Sequence, residues 1–179
     1  MIPSQTLDRF DAFLGDAGQS FRGVVIGGAA LALLGVTSRQ TRDCDVLDPP
    51  LTDEITRQAR EFAALMRIEG LDLADDWLNN GPASLAGILP PEWRERLVPL
   101  YQGRAIVLHT LGRSDLLRSK LFALCDRGTD LPDCLALEPT QAELEEIQPW
   151  VALQDAHPGW PEHVSATLSD LAGRLGYGV

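Results

Sequence analysis

Asp43 and Asp45 are separated by Cys44 in a run that continues through Val46 and Leu47. If this run is a strand, its two-residue period puts both carboxylates on one face and Cys44 on the other. Two hard oxygen donors so placed suit Mg²⁺ or Mn²⁺; Mg²⁺ usually takes one or two carboxylates and fills its shell with water and phosphate oxygens. Solvated acids ending an edge strand would give the same pattern. Upstream, Val24-Val25-Ile26 is a buried-strand candidate that runs into Gly27-Gly28 and then an Ala/Leu-rich helix over Gly28–Leu34. Glycines at such a junction leave backbone N–H groups open to a triphosphate with no side chain in the way. Close packing of that helix on the sheet explains them equally. The dinucleotide fingerprint Gly-x-Gly-x-x-Gly is not met, because Ala29 and Ala30 follow and the next glycine is Gly35.

Lys120 is the single lysine in a chain whose other cationic side chains are arginine. It lies four residues from both Leu116 and Leu124, on one helical face, and a lysine inside an apolar stripe needs a reason. A phosphate contact and a stem that snorkels to water are the two readings. Asp130 and Asp133 follow, spaced by Leu131-Pro132. Each would cap the helix begun by Pro132, with Asp130 the better placed, or would serve a nucleotide site as metal ligand or proton acceptor. Cys44, Cys125 and Cys134 are odd in number, have no metal-ligand spacing and read as small apolar fillers. His109 ends a β-like run, while His157 and His163 fall in a proline-containing helical tail.

The elements that must position these groups follow from periodicity. Thr6–Gly15 carries Leu7, Phe10, Phe13 and Leu14 at helical spacing. Cys44–Leu47 is a second strand, stopped by Asp48-Pro49-Pro50. Thr52 caps a long helix whose buried face is marked by Ile55, Phe62, Leu65 and Met66 and which Gly70 ends. Trp77-Leu78 is a short strand candidate and Asn80-Gly81-Pro82 a turn. Leu97–Tyr101 and Ala105–His109 form a hairpin across Gln102-Gly103. Ser114 caps a helix through Cys125, with Gly128 just past its end, and Thr140 with Glu143 makes a capping box. Pro149 and Pro161 restart or kink the chain, and Val164, Leu168, Leu171 and Leu175 give the last helix an apolar stripe. The expected architecture is α/β (α+β): a small mixed sheet flanked by helices over residues 1–111, then a helical C-terminal subdomain over 112–179.

The chain has 179 residues, enough for one sizeable core with an appendage, and a net charge of −11. That charge repels nucleic acid unless a local basic patch, such as one at Arg39 and Arg42, offsets it. The N-terminal residues carry no export signal, and the longest apolar stretch, Val24–Val36, is too short for a membrane span. A cytoplasmic home with no membrane partner is therefore expected.

Gly27-Gly28, a helix and then Arg39-Gln40-Thr41-Arg42-Asp43-Cys44-Asp45 resemble the opening motif of the nucleotidyltransferase superfamily with the DNA polymerase β-like fold. The particular likeness is to the compact prokaryotic branch related to AbiE-type toxins, in the DUF6036-type group. In that branch a helical lysine precedes an arginine and an Asp-x-x-Asp-Leu-like segment; here these are Lys120, Arg127 and Asp130-Leu131-Pro132-Asp133-Cys134-Leu135. The resemblance covers Val24 to Leu137. It implies an NTP substrate, Mg²⁺ (or Mn²⁺) on Asp43 and Asp45, and catalytic roles for Asp43, Asp45, Lys120 and Asp133. It also implies nucleotide contacts from Gly27, Gly28, Arg39, Thr41 and Lys120, with Asp130 and Arg127 as further candidates. The implied reaction is transfer of an NMP group to an RNA, protein or small-molecule acceptor, in a toxin–antitoxin or phage-defence setting with a cognate antitoxin or partner protein. One departure stands out. The superfamily carries a third carboxylate on a later strand, whereas neither Leu97–Tyr101 nor Ala105–His109 contains an acid. Either Asp133 or Asp130 substitutes, or the chain is a nucleotide- or partner-binding module that does not transfer.

Overall fold

Phe21–Ile26 (β1) is the middle strand of five, with a neighbour from later in the chain on each side. A computed structural model describes residues 3–39 and 41–177, so Gln40 of the motif lies outside the described residues. Two units form. The first takes the described residues up to Gly87 with Pro91–Leu111, and the second takes Ile88–Pro90 with the described residues from Gly112 onward.

In the first unit the other strands are β2 (Cys44–Asp48), β3 (Leu78–Asn79), β4 (Val98–Gln102) and β5 (Ile106–Thr110). Their order is β3-β2-β1-β5-β4. β1 runs antiparallel to β2 and parallel to β5, β2 runs parallel to β3, and β4 runs antiparallel to β5. This is the mixed sheet flanked by helices expected from the sequence. β2 is therefore an internal strand; Asp45 lies within it and Asp43 immediately before it.

Alternation along the strands turns Phe21, Val25, Cys44, Val46, Ile106 and Leu108 into one apolar cluster with the flanking helices. Those helices are α1 (Pro3–Asp16), α2 (Gly27–Leu33) and α3 (Asp53–Ile68). α3 starts where Thr52 Oγ1 accepts the Ile55 N–H at 3.2 Å, with Asp53 and Glu54 favourably placed in its first turn. Its buried stripe is Ile55, Ala59, Phe62, Ala63 and Met66; Leu65, expected on that face, is exposed. Phe10 of α1 meets Phe62 and Trp77 with ring centroids 5.1 Å away in each case, and Trp77 Nε1–H satisfies itself on the Ala59 carbonyl at 3.1 Å.

α1 is fastened to the sheet by a carboxylate. Asp11 Oδ1 accepts the N–H groups of Ala105 (2.8 Å) and Ile106 (2.7 Å), while Oδ2 accepts that of Arg104 (3.0 Å). A side chain at Gly103 would collide with this carboxylate, so glycine is required at the β4–β5 connection.

In the second unit, four helices pack on one another: α4 (Arg113–Arg127), α5 (Leu131–Ala136), α6 (Gln141–Ala152) and α7 (Trp160–Arg174). The residue capping α4 is Gly112 rather than Ser114, whose hydroxyl is taken by Arg118. α6 opens with the expected Thr140/Glu143 capping box. The Arg113 guanidinium, which also bonds Glu143, is the main reason that the Glu143 carboxyl is held down to about 2. Pro149 neither restarts nor ends the chain's helix. It sits inside α6 on an exposed side, where the carbonyl that its missing N–H would have met belongs to the exposed Glu145 and can be solvated. Val164, Leu168 and Leu171 are buried along α7 as their spacing predicts, and Phe122 stands edge-on to Trp150 and Trp160.

Burial opposes the Asp11 charge, but the three backbone donors and Arg104 together outweigh it and hold the carboxyl below its ordinary value. A depressed carboxyl stabilises the fold above its unfolded pKa of ~3.9, and that contribution is lost as pH falls through the folded value. Asp11→Ala is expected to cost about 2 kcal/mol near neutral pH by orphaning buried donors. The loss should shrink with acidification in thermal melts recorded across the acid range. A pH-independent loss would show that the charge is not what fastens α1.

Candidate functional site

β1 delivers the chain to Gly27 at its C-terminal end, and antiparallel pairing places Asp45 opposite Ile26. Gly27 has φ +78°, and a Cβ there would run into Asp45 Oδ2, so the residue is glycine for two independent reasons. A side chain on Gly28 would begin 3.4 Å from Thr41 Oγ1 and 3.5 Å from Arg39 Nη2. Thr41 Oγ1–H donates to Asp43 Oδ1 at 2.9 Å. Gly27, Gly28, Arg39, Thr41, Asp43 and Asp45 are thus gathered at one end of β1 and β2. α2 spans seven residues and has no side-chain cap from Ile26. So short a helix brings little macrodipole, and charge for an anion must come from side chains such as Arg39.

The donor set fits a hard divalent cation. Asp43, just before β2, is exposed and Asp45 half-buried, both offering oxygen, while Cys44 between them is buried. Burial, aided by the charges of Asp45 and Asp43, pushes the Cys44 thiol far above its usual range and keeps it protonated. Among the described residues no three His, Cys, Asp or Glu side chains gather into a metal site, so this pair would leave the remaining positions to water and phosphate. Beside Asp45 on β3 stands a neutral residue, Asn79, in parallel register with it.

The remaining expected residues gather in the second unit. Lys120 Nζ donates to Asp130 Oδ1 at 2.9 Å and to Asp133 Oδ2 at 2.6 Å, and Arg127 Nη2 donates to Asp130 Oδ2 at 2.8 Å. Lys120, Asp130 and Asp133 are all buried. Lys120 therefore does not snorkel to water. Asp130 sits at the start of α5 without using its side chain as a cap; the carboxylate is turned to the two cations instead. Burial would lower the Lys120 pKa, but the bonds from Asp133 and Asp130 outweigh it and raise the value. Asp130 mirrors this: burial works against its charge, yet Lys120 and then Arg127 hold its carboxyl low. With formal charges of two cations and two carboxylates the cluster is balanced.

Two functional-looking residues escape the sequence reading. Asn79 extends by one residue the short strand expected at Trp77-Leu78, which is observed at Leu78–Asn79, and its neighbour Asn80 was legible only as part of a turn. Asn80 in fact braces β2, donating to the Val46 carbonyl at 3.0 Å and accepting the Leu51 N–H at 2.6 Å.

A family model described as "Nucleotidyltransferase of unknown function (DUF6036)" matches residues 5–137 of the 179, a span that takes in both clusters. No curated protein and no solved structure matches the chain.

Gly27→Ala is expected to cost ~1–2 kcal/mol from the left-handed backbone alone and to displace the Asp45 carboxylate. Thermal denaturation measures the first effect and a crystal structure of the variant the second. Lys120→Met leaves two buried carboxylates short of a partner and should cost about 3–5 kcal/mol in chemical denaturation, much of it regained when Asp130→Asn and Asp133→Asn are added. The raised lysine stabilises below its unfolded pKa of ~10.4 and is lost as pH rises through its folded value. The depressed Asp130 stabilises above ~3.9 and is lost as pH falls through its own. A wild-type plateau between these limits is the expected profile, and in Lys120→Met the alkaline limit set by the lysine should disappear.

Proposed function

We propose a function from one premise: the chain belongs to the nucleotidyltransferase family DUF6036. The proposed reaction transfers a nucleoside monophosphate from an NTP to an acceptor hydroxyl. The observation that carries it is the convergence of Gly27, Gly28, Arg39 and Thr41 with the Asp43/Asp45 pair. Bare backbone at Gly27-Gly28 admits the phosphates, the Arg39 guanidinium offsets their charge, and Asp43 with Asp45 would hold Mg²⁺ or Mn²⁺. When bound, such an ion screens the phosphate oxygens and polarises the phosphoryl group. The acceptor oxygen bonds to the α-phosphorus, the bond from that phosphorus to the bridging oxygen of the β-phosphate breaks, pyrophosphate leaves, and the acceptor proton passes to water. Asp43 stays oriented through Thr41, and Asp45 through its seat above Gly27.

Lys120, Asp130, Asp133 and Arg127 enter this proposal as the ion-pair cluster that fixes α5 on α4. Charge constrains the acceptor. On a chain of net charge −11, an RNA hydroxyl would depend on Arg39 and Arg42, whereas a protein or small-molecule hydroxyl would not. A toxin or phage-defence role with a cognate partner protein is the cellular setting that the family resemblance supplies for such a transfer. A second reading, nucleotide binding without transfer, is favoured by the neutral Asn79 beside Asp45.

The two readings separate in one assay. Purified protein with Mg²⁺ and each NTP in turn is expected to release pyrophosphate and add an NMP mass to RNA or protein acceptors, and Asp45→Asn should lower the rate about a hundred-fold. Metal-dependent NTP binding with no pyrophosphate from any acceptor would establish the second reading. Transfer undiminished in Asp45→Asn would overturn the site assignment.

A further inference from the structure

We propose that the second unit carries a binding site for a small linear polyamine, in the cavity where the end of α4 meets α7. The cavity measures about 440 Å³, within the ~300–1,000 Å³ range of small-molecule sites. Its walls come from the last turn of α4, the start of α5 and α7. His163, Thr167 and Asp170 are spaced i, i+4 and i+7, so one face of α7 lines it. These three residues lie beyond residue 137, where the family model ends, and the cavity is independent of the nucleotide reading.

The lining selects a cation rich in N–H donors. Asp126 of α4 and Asp170 of α7 supply exposed carboxylates. Asp170 is bonded to Arg174 one turn on, in an exposed pair that exchanges readily. Arg127, a cation in the lining, donates to Asp130 within the balanced cluster with Lys120 and Asp133, so its charge is already met. The C-terminal end of the 15-residue α4 adds the partial negative charge of its last carbonyls. His163 Nε2 lies 2.9 Å from the Cys125 carbonyl; a carbonyl only accepts, so Nε2–H donates, and Nδ1 of the neutral ring is an acceptor. Leu124 and Leu131 make the rest of the wall apolar. A linear polyamine matches this set, with ammonium groups for the two acids and methylenes for the leucines. Because the acids stand on different helices, a molecule with two cationic ends suits them better than one with a single charge. A metal ion suits them poorly, since among the described residues no three His, Cys, Asp or Glu gather as ligands. An anion would face both carboxylates and the negative helix end.

The chain has three histidines, so imidazole signals in nuclear magnetic resonance report on the site directly, with His163→Gln assigning the one that matters. Titrating the full chain with 1,4-diaminobutane, with sodium chloride as the control, is expected to move the His163 signal saturably and leave those of His109 and His157 in place. Asp126→Asn and Asp170→Asn should each weaken this binding about five-fold, and 1-aminobutane, with one charge, should bind the wild type more weakly by a similar factor. Both acids are exposed, so neither variant threatens the fold. Shifts of all three histidines that never saturate, or that sodium chloride of equal ionic strength reproduces, would show counterions gathering on a chain of net charge −11 and overturn the proposal. Saturable binding undiminished in both variants overturns it as well. Equal affinity for 1-aminobutane overturns the assignment of a ligand with two cationic ends.

Discussion

The carboxylate of Asp45 occupies the space in which a side chain on Gly27 would begin. Everything proposed for the first unit depends on that exclusion. It lets β2 bring an acid against the backbone at the point where β1 turns into α2. Asn79 Nδ2 donates to this carboxylate at 3.4 Å from the neighbouring strand β3. β3 is only two residues long, too short to hold its register by ladder bonds alone, and the amide contacts of Asn79 and Asn80 supplement them.

The two acidic clusters show how burial decides what a carboxylate can do. Asp43 is exposed and Asp45 half-buried. Asp130 and Asp133 are buried and bonded to Lys120, so their charge is spent internally. Similar chemistry in the sequence thus serves two ends. The second pair is suited to hold helices together, and leaving either of its charges alone would cost that charge's desolvation.

Local signals made much of the first pattern legible. A strand period and a glycine pair, each readable within a few residues, pointed to Gly27, Gly28, Asp43 and Asp45 and to the strands β1 and β2 that they adjoin or lie in. The Thr140/Glu143 box was legible for the same reason. What failed was set at a distance. Ser114 looked like a cap until Arg118, one helical turn on, claimed its hydroxyl, and Asp130 looked like a cap although Lys120, ten residues earlier, holds its carboxylate. Leu65 had the hydrophobicity for the core but the wrong angle around α3. Asn79 could not be read because its register partner lies on a strand formed 34 residues earlier. Side-chain partners chosen by tertiary packing leave no periodic trace in the residues themselves.

The place of β1 also bears on how the first unit is assembled. Its antiparallel neighbour β2 follows soon after, but its parallel neighbour β5 begins at Ile106, and α1 waits for the same stretch because its Asp11 takes its donors from residues 104–106. During vectorial synthesis the middle strand therefore remains an open edge while most of the unit is being made. Closure of so distant a pairing carries a large loop entropy, so this sheet should condense late and all at once. Until then its Val-Val-Ile run is the segment most exposed to pairing with another chain.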